Sequence, residues 1–129
     1  MRVRQMLPWL AFGLVAATPL VRQGTVTAEV AIGKSIDKGM PLDTASAFPA
    51  DVGTVVAWTR VTGAPAGSKI THAWIHGSDT AKVELKIGGS PWRTFSRRTI
   101  GAHATGDWKV EVMDEAGKVL ATKSFKVGG

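Results

Sequence analysis

The residues of this chain best suited to chemistry include three histidines. His72 and His76 stand four apart in KITHAWIH. On a helix that spacing puts two imidazoles on one face, as in zinc proteases, but those also need a glutamate directly after the first histidine. Here that position is Ala73. On a strand the two rings again share a face, yet their backbones lie about 13 Å apart at about 3.3 Å per residue. Metal bonds of about 2 Å do not bridge that gap. His103 falls in a loop far along the chain. The histidines therefore read as polar members of a sheet face, with no metal and no cofactor expected.

Other catalytic patterns are weaker. No GxSxG elbow is present, and no serine stands in a nucleophile context. Asp37, Asp43, Asp51, Asp79 and Asp107 are candidate carboxylates for glycoside hydrolysis. Most sit in turn-like stretches, where aspartate is favoured for local hydrogen bonding. Gly63-Ala64-Pro65-Ala66-Gly67 lacks the Lys-Ser/Thr ending of a phosphate loop and reads as a turn.

The aromatic and basic set says more. Val56, Trp58 and Arg60 alternate on one side of a strand, and Ile70, His72, Trp74 and His76 on one side of the next. The opposite sides, Val55, Ala57 and Val61 on the first and Ala73 and Ile75 on the second, are small and apolar enough to serve a core. That assignment leaves Trp58, Arg60, His72, Trp74 and His76 outward, with Arg93, Arg97 and Arg98 on a neighbouring strand. Rings stack on apolar surfaces and guanidinium groups grip carboxylate or phosphate in pairs. Trp58, Arg60, His72, Trp74, His76 and Arg93 are thus the candidate binding residues. The competing assignment makes Trp58 or Trp74 the core tryptophan of a sandwich. Trp108, alternating with Val110 and Val112, is expected in the core.

The elements that must carry these residues are strands. From Val26 on, apolar alternation and turn residues recur about every ten residues, the spacing of a β-sandwich or barrel. The strands expected are Val26–Ile32, Val52–Val61, Lys69–His76, Thr80–Ile87, Trp92–Ile100, Asp107–Met113 and Lys118–Val127, with Gly33–Pro49 a looser polar stretch. A short helix capped by Ser68 is the alternative over Lys69–His76. In Thr80–Ile87, Ala81, Val83, Leu85 and Ile87 face one way and Lys82, Glu84 and Lys86 the other, giving one dry and one wet face. Asp114-Glu115-Ala116-Gly117 reads as a hairpin loop closed by a glycine of positive φ.

The first residues are of a different kind. Arg2 and Arg4 precede an uncharged, mostly apolar stretch, Met6–Val21, and small residues follow, which is the layout of a secretory signal. Its strictly apolar part is shorter than the roughly 20 residues of a spanning helix. The expectation is a signal peptide over residues 1–28 and a sandwich domain over 29–129, with cleavage after Ala28. Cleavage after Ala17 and an uncleaved anchor are the alternatives. Without residues 1–28, which hold Arg2, Arg4 and Arg22 and no acid, the formal charge falls from +6 to +3. That is ordinary solubility and no nucleic-acid footprint. With no cysteine, the domain has neither disulfides nor thiolate chemistry.

Four stretches carry a family likeness: FPADVG (Phe48–Gly53), WTRVTGAPAGSKITHAWIHG (Trp58–Gly77), SPWRTFS (Ser90–Ser96) and GDWKVEVMDEAGKVL (Gly106–Leu120). Through them the chain resembles an uncharacterised family of bacterial exported and membrane-associated proteins, domain of unknown function 2914. The resemblance implies an Ig-like sandwich and no particular activity. The expectation from the sequence is therefore an all-β, Ig-like antiparallel sandwich of about seven strands behind a signal helix. It would act as a non-catalytic envelope module in the periplasm or at the cell surface. Its partner would be a glycan, an anionic polymer or a protein, not a nucleic acid, with membrane contact only through an uncleaved signal segment. A small hydrolase or metal-dependent enzyme is the alternative.

Overall fold

Alternation of apolar and polar residues decides where strands form, and turn residues decide where they stop. In the computed structural model, which describes residues 25–128, every regular element is a strand. Seven are long: β1 (Thr27–Gly33), β5 (Thr54–Thr62), β6 (Lys69–His76), β7 (Asp79–Lys86), β8 (Trp92–Thr99), β9 (Gly106–Met113) and β10 (Val119–Val127). They coincide with the seven strands expected, and Lys69–His76 is strand, not helix. The polar stretch 33–49 is less loose than expected. It holds three short strands, β2 (Ser35–Asp37), β3 (Met40–Leu42) and β4 (Ala47–Phe48).

The long strands form two sheets, one of order β1-β5-β8 and one of order β4-β10-β9-β6-β7. All pairs are antiparallel except β4 with β10. The sheets pack as a sandwich. The expected signal segment lies outside the described residues except for Thr25–Ala28. There β1 runs straight through the Ala28–Glu29 bond, and Val26 and Ala28 pack against the core. Among the described residues no helix is long and apolar enough to cross a membrane.

Between the sheets the core is split. One apolar cluster gathers Ile32, Phe48, Val55, Ala57, Trp74, Trp108, Val110 and Phe125 with their neighbours. The other holds Val61, Ala64, Ile70, Ile87 and Val112. Along β5 the step from the first cluster to the second passes through Thr59, and along β6 through His72, both fully buried. A polar layer therefore crosses the sandwich between its two apolar halves.

Two hairpin turns show how local residues close the strands, and the first lies at the outer face of the smaller sheet. Lys38 and Gly39 both have positive φ, 52° and 76°, and join Asp37 to its partner Met40 as a two-residue hairpin. That is the turn whose twist matches flanking strands. At the other hairpin, Asp114 Oδ1 accepts hydrogen bonds from the amides of Ala116 and Lys118, and Gly117 takes φ 86°. This loop is built as its sequence predicts.

Candidate binding face

Strand parity sorts the six candidate residues into three places. On β5, Val55, Ala57, Thr59 and Val61 are buried between the sheets, which sends Val56, Trp58 and Arg60 to the outer face. Cross-strand pairing then sets three rows on that face: Glu29–Arg60–Arg93, Ala31–Trp58–Phe95 and Gly33–Val56–Arg97. Trp58, Arg60 and Arg93 are thus brought together as the sequence suggests, and Phe95 and Arg97 join them. Arg97 lies over the Phe95 ring at 4.8 Å, a cation–π contact.

The β2–β3 hairpin folds over this outer face. Its tip docks at two points: Trp58 Nε1 donates to the Gly39 carbonyl at 2.9 Å, and Arg93 Nη1 donates to Met40 Sδ at 3.0 Å. A Cβ on Gly39 would sit 3.7 Å from the Arg93 guanidinium carbon, so the arginine lies against the glycine itself. The hairpin buries Trp58, although its side chain points away from the core. Its ring is therefore no stacking platform.

What stays open beside the hairpin is a pocket of about 430 Å³ lined by Glu29, Met40, Trp58, Arg60, Pro91 and Arg93. Arg60 and Arg93 face each other across the strand pair, an arrangement that repels when nothing sits between the charges. One acid answers them: Glu29 Oε1 lies 3.3 Å from Arg60 Nε, both side chains about half exposed. Such a surface pair contributes little to stability. Among the described residues, the Met40 thioether is the one side-chain acceptor of Arg93. The remaining guanidinium donors are suited to a carboxylate or phosphate, which accept two parallel N–H bonds.

His72 and Trp74 are elsewhere, contrary to the outward assignment. On β6 it is Ile70, His72 and Trp74 that face inward, with Trp74 at 1% and His72 at 0% exposure. Ala73 and Ile75 look outward instead. Two reasons favour this parity. Burying Trp74 removes far more apolar surface from water than burying Ala73, and its ring packs edge-on against Phe125 at 6.4 Å. The polar atoms that come with it are all answered across the sandwich. His72 Nε2 lies 2.7 Å from Thr59 Oγ1, and Nδ1 lies 2.7 Å from Ser96 Oγ. Trp74 Nε1 donates to the same Ser96 Oγ at 3.0 Å. Either neutral tautomer of the imidazole satisfies both contacts. Burial lowers the His72 pKa from 6.5 to about 4, so the ring is neutral near pH 7.

The Ser96–His72 distance is within the reach of a nucleophile and its base. Its setting is different: both groups are buried, and the ring's other partner is a threonine hydroxyl in place of a carboxylate. No sequence spacing marks this layer, because its three polar residues come from β5, β6 and β8 and meet only across the sheets.

His76 takes a third position, at one end of the inner face. It stacks on Trp108 with centroids 4.4 Å apart, and its Nε2 donates to the Thr105 carbonyl at 2.8 Å. Trp108 is core, as expected, stacked in turn near Phe125 and bonded through Nε1 to the Ala104 carbonyl. His72 and His76 thus serve separate environments. Among the described residues no three of His, Asp and Glu converge as metal ligands.

Comparison with known proteins adds one finding. Residues 67–127 match the model of a family described as Protein of unknown function (DUF2914), so the resemblance holds from the turn before β6 to the end of β10. The match includes His72, Trp74, His76, Arg93 and Ser96, and stops short of Trp58, Thr59 and Arg60. No curated protein matches the chain.

Proposed function

We propose that this chain, whose residues 67–127 match an uncharacterised family, is an exported, non-catalytic binding module of the bacterial cell envelope. In this reading its sandwich is Ig-like and it holds an anionic group of a glycan or envelope polymer in the pocket between Arg60 and Arg93. The observation that carries the reading is the pairing of those two arginines. They stand directly opposite each other on adjacent strands and line one pocket, and among the described residues the acid paired with them is Glu29, on the far side of Arg60 from Arg93. A like-charged pair placed this way costs stability unless a ligand compensates it.

The buried face of Trp58 weighs against recognition by ring stacking and in favour of recognition by charge. The sealed Ser96–His72 contact supports a structural role for that pair. Export rests on the Arg-flanked apolar stretch Met6–Val21. Because β1 contains Thr27 and Ala28, cleavage after Ala17 fits the fold better than cleavage after Ala28, since it leaves the strand whole.

Calorimetric titration tests the pocket, using the full-length chain with oligogalacturonate as a carboxylated glycan, tripolyphosphate as a phosphate chain and a neutral oligosaccharide as control. The anionic probes bind, the neutral one does not, and an Arg60→Gln/Arg93→Gln variant loses at least tenfold in affinity. Equal binding by the variant would refute the assignment.

A further inference from the structure

β7 is an open edge of the five-stranded sheet: among the described residues it pairs only with β6. Alternate backbone N–H and C=O groups along it therefore point outward, a template for another strand. Its inward residues Ala81, Val83 and Leu85 pack on the two core clusters but remain only partly buried. Its outward residues Lys82, Glu84 and Lys86 are exposed, and none is in an ion pair among the described residues.

Lysines on an edge normally discourage strand pairing. Here the order Lys-Glu-Lys removes that protection in one long register. We propose that β7 pairs antiparallel with β7 of a second copy of this chain, about a two-fold axis at Val83. In that register Lys82 stands opposite Glu84 of the other copy, and Glu84 opposite Lys82, while Val83 meets Val83 and Ala81 meets Leu85. The ladder runs from Thr80 to Lys86, nearly the whole strand, and the apolar stripe continues across the axis. Centring on Lys82 or Glu84 sets like charges face to face. Centring between residues turns dry side chains toward wet ones. Centring on Leu85 also joins Glu84 to Lys86, but engages only residues 84–86 of the strand. The axis at Val83 is the one that uses both the charges and the length. A ladder this short forms a small interface, so the dimer is a weak one.

The chain has no cysteine, which makes single-thiol cross-linking direct. In the full-length protein, Val83→Cys forms a cross-linked dimer with a short thiol-reactive linker. Ala81→Cys and Leu85→Cys do so only when mixed with each other. Glu84→Lys turns two attractive cross-strand pairs into repulsive ones and weakens association about tenfold by sedimentation. The exchange Lys82→Glu/Glu84→Lys restores it. Self-linking by Leu85→Cys in place of Val83→Cys, or failure of the charge exchange to rescue, overturns the proposal. So does a Val83→Cys chain that stays monomeric at high concentration. Each variant lies on an exposed or half-buried edge, and unchanged thermal melting confirms that it folds.

Discussion

Strands β5 and β8 carry Thr59 and Ser96 on their inner face, where they meet His72 of β6 in a buried layer, and Arg60 and Arg93 on their outer face, where they line the pocket. In the inner layer both ring nitrogens of His72 and the Trp74 indole have a partner 2.7 to 3.0 Å away, and no member is appreciably exposed. In the outer pocket two guanidinium groups share one carboxylate and a thioether, and both are open to water. A completed hydrogen-bond set in a low-dielectric interior orders the sheets against each other. An uncompleted one at the surface is where a ligand adds something. The contrast assigns architecture to the first and recognition to the second, and each difference between them is open to measurement.

The largest expected effect is on the inner side. Trp74→Ala removes a core ring and costs about 3–5 kcal/mol, read as a shift of the denaturant midpoint, as large as that for Trp108→Ala. A loss under about 1 kcal/mol, typical of surface positions, would return Trp74 to the outer face and dissolve the contrast.

The next effect depends on pH. An imidazole lowered from 6.5 to about 4 by burial binds its proton more readily in the unfolded chain. Its stabilising contribution is therefore complete above pH 6.5, declines as pH falls toward 4, and changes no further below that. At about 1.4 kcal/mol per pKa unit the total is about 3 kcal/mol. Urea unfolding from pH 7 to pH 4 measures it. His72→Gln, which keeps polar atoms in the layer but has no proton to take up in this range, flattens that part of the profile.

Ser96→Ala leaves the Trp74 indole N–H and the His72 Nδ1 without their shared partner. Stranding buried polar groups costs about 1–3 kcal/mol, visible in thermal melting with no loss of probe binding at the outer pocket. The smallest effect on stability belongs to Arg93→Gln. It changes folding by under about 1 kcal/mol while reducing affinity for tripolyphosphate. If the two readouts move the other way, stability falling and affinity unchanged, Arg93 serves to pin the Gly39–Met40 hairpin tip and nothing more.

Most of the fold was open to reading along the chain. The period-two pattern of Thr80–Ile87 and Asp107–Met113 and the Asp114–Gly117 turn are local, since each depends on residues within a few positions. The β2–β3 hairpin leaves little trace in the sequence, because Lys38-Gly39 is a weaker signal than Asn-Gly and its strands are three residues each. Of the candidate site, Trp58, Arg60 and Arg93 share the outer surface that alternation assigns them. His72 and Trp74, assigned outward by the same argument, are buried instead. On β6 both sides are plausible core, Ala73 and Ile75 on one and Ile70, His72 and Trp74 on the other, so apolar count does not choose between them.

By itself, then, the sequence determined seven long strands, their turns, the inward side of β5, β7 and β9, and the exposure of Arg60 and Arg93. All of these follow from alternation and from the cost of burying an unpaired charge. Only the tertiary structure decided which way β6 faces. Burying a histidine is unfavourable until partners are supplied, and those partners, Thr59 and Ser96, belong to the opposite sheet, 13 and 24 residues away. Their hydroxyls reach His72 only once the two sheets have closed, so no local pattern records them.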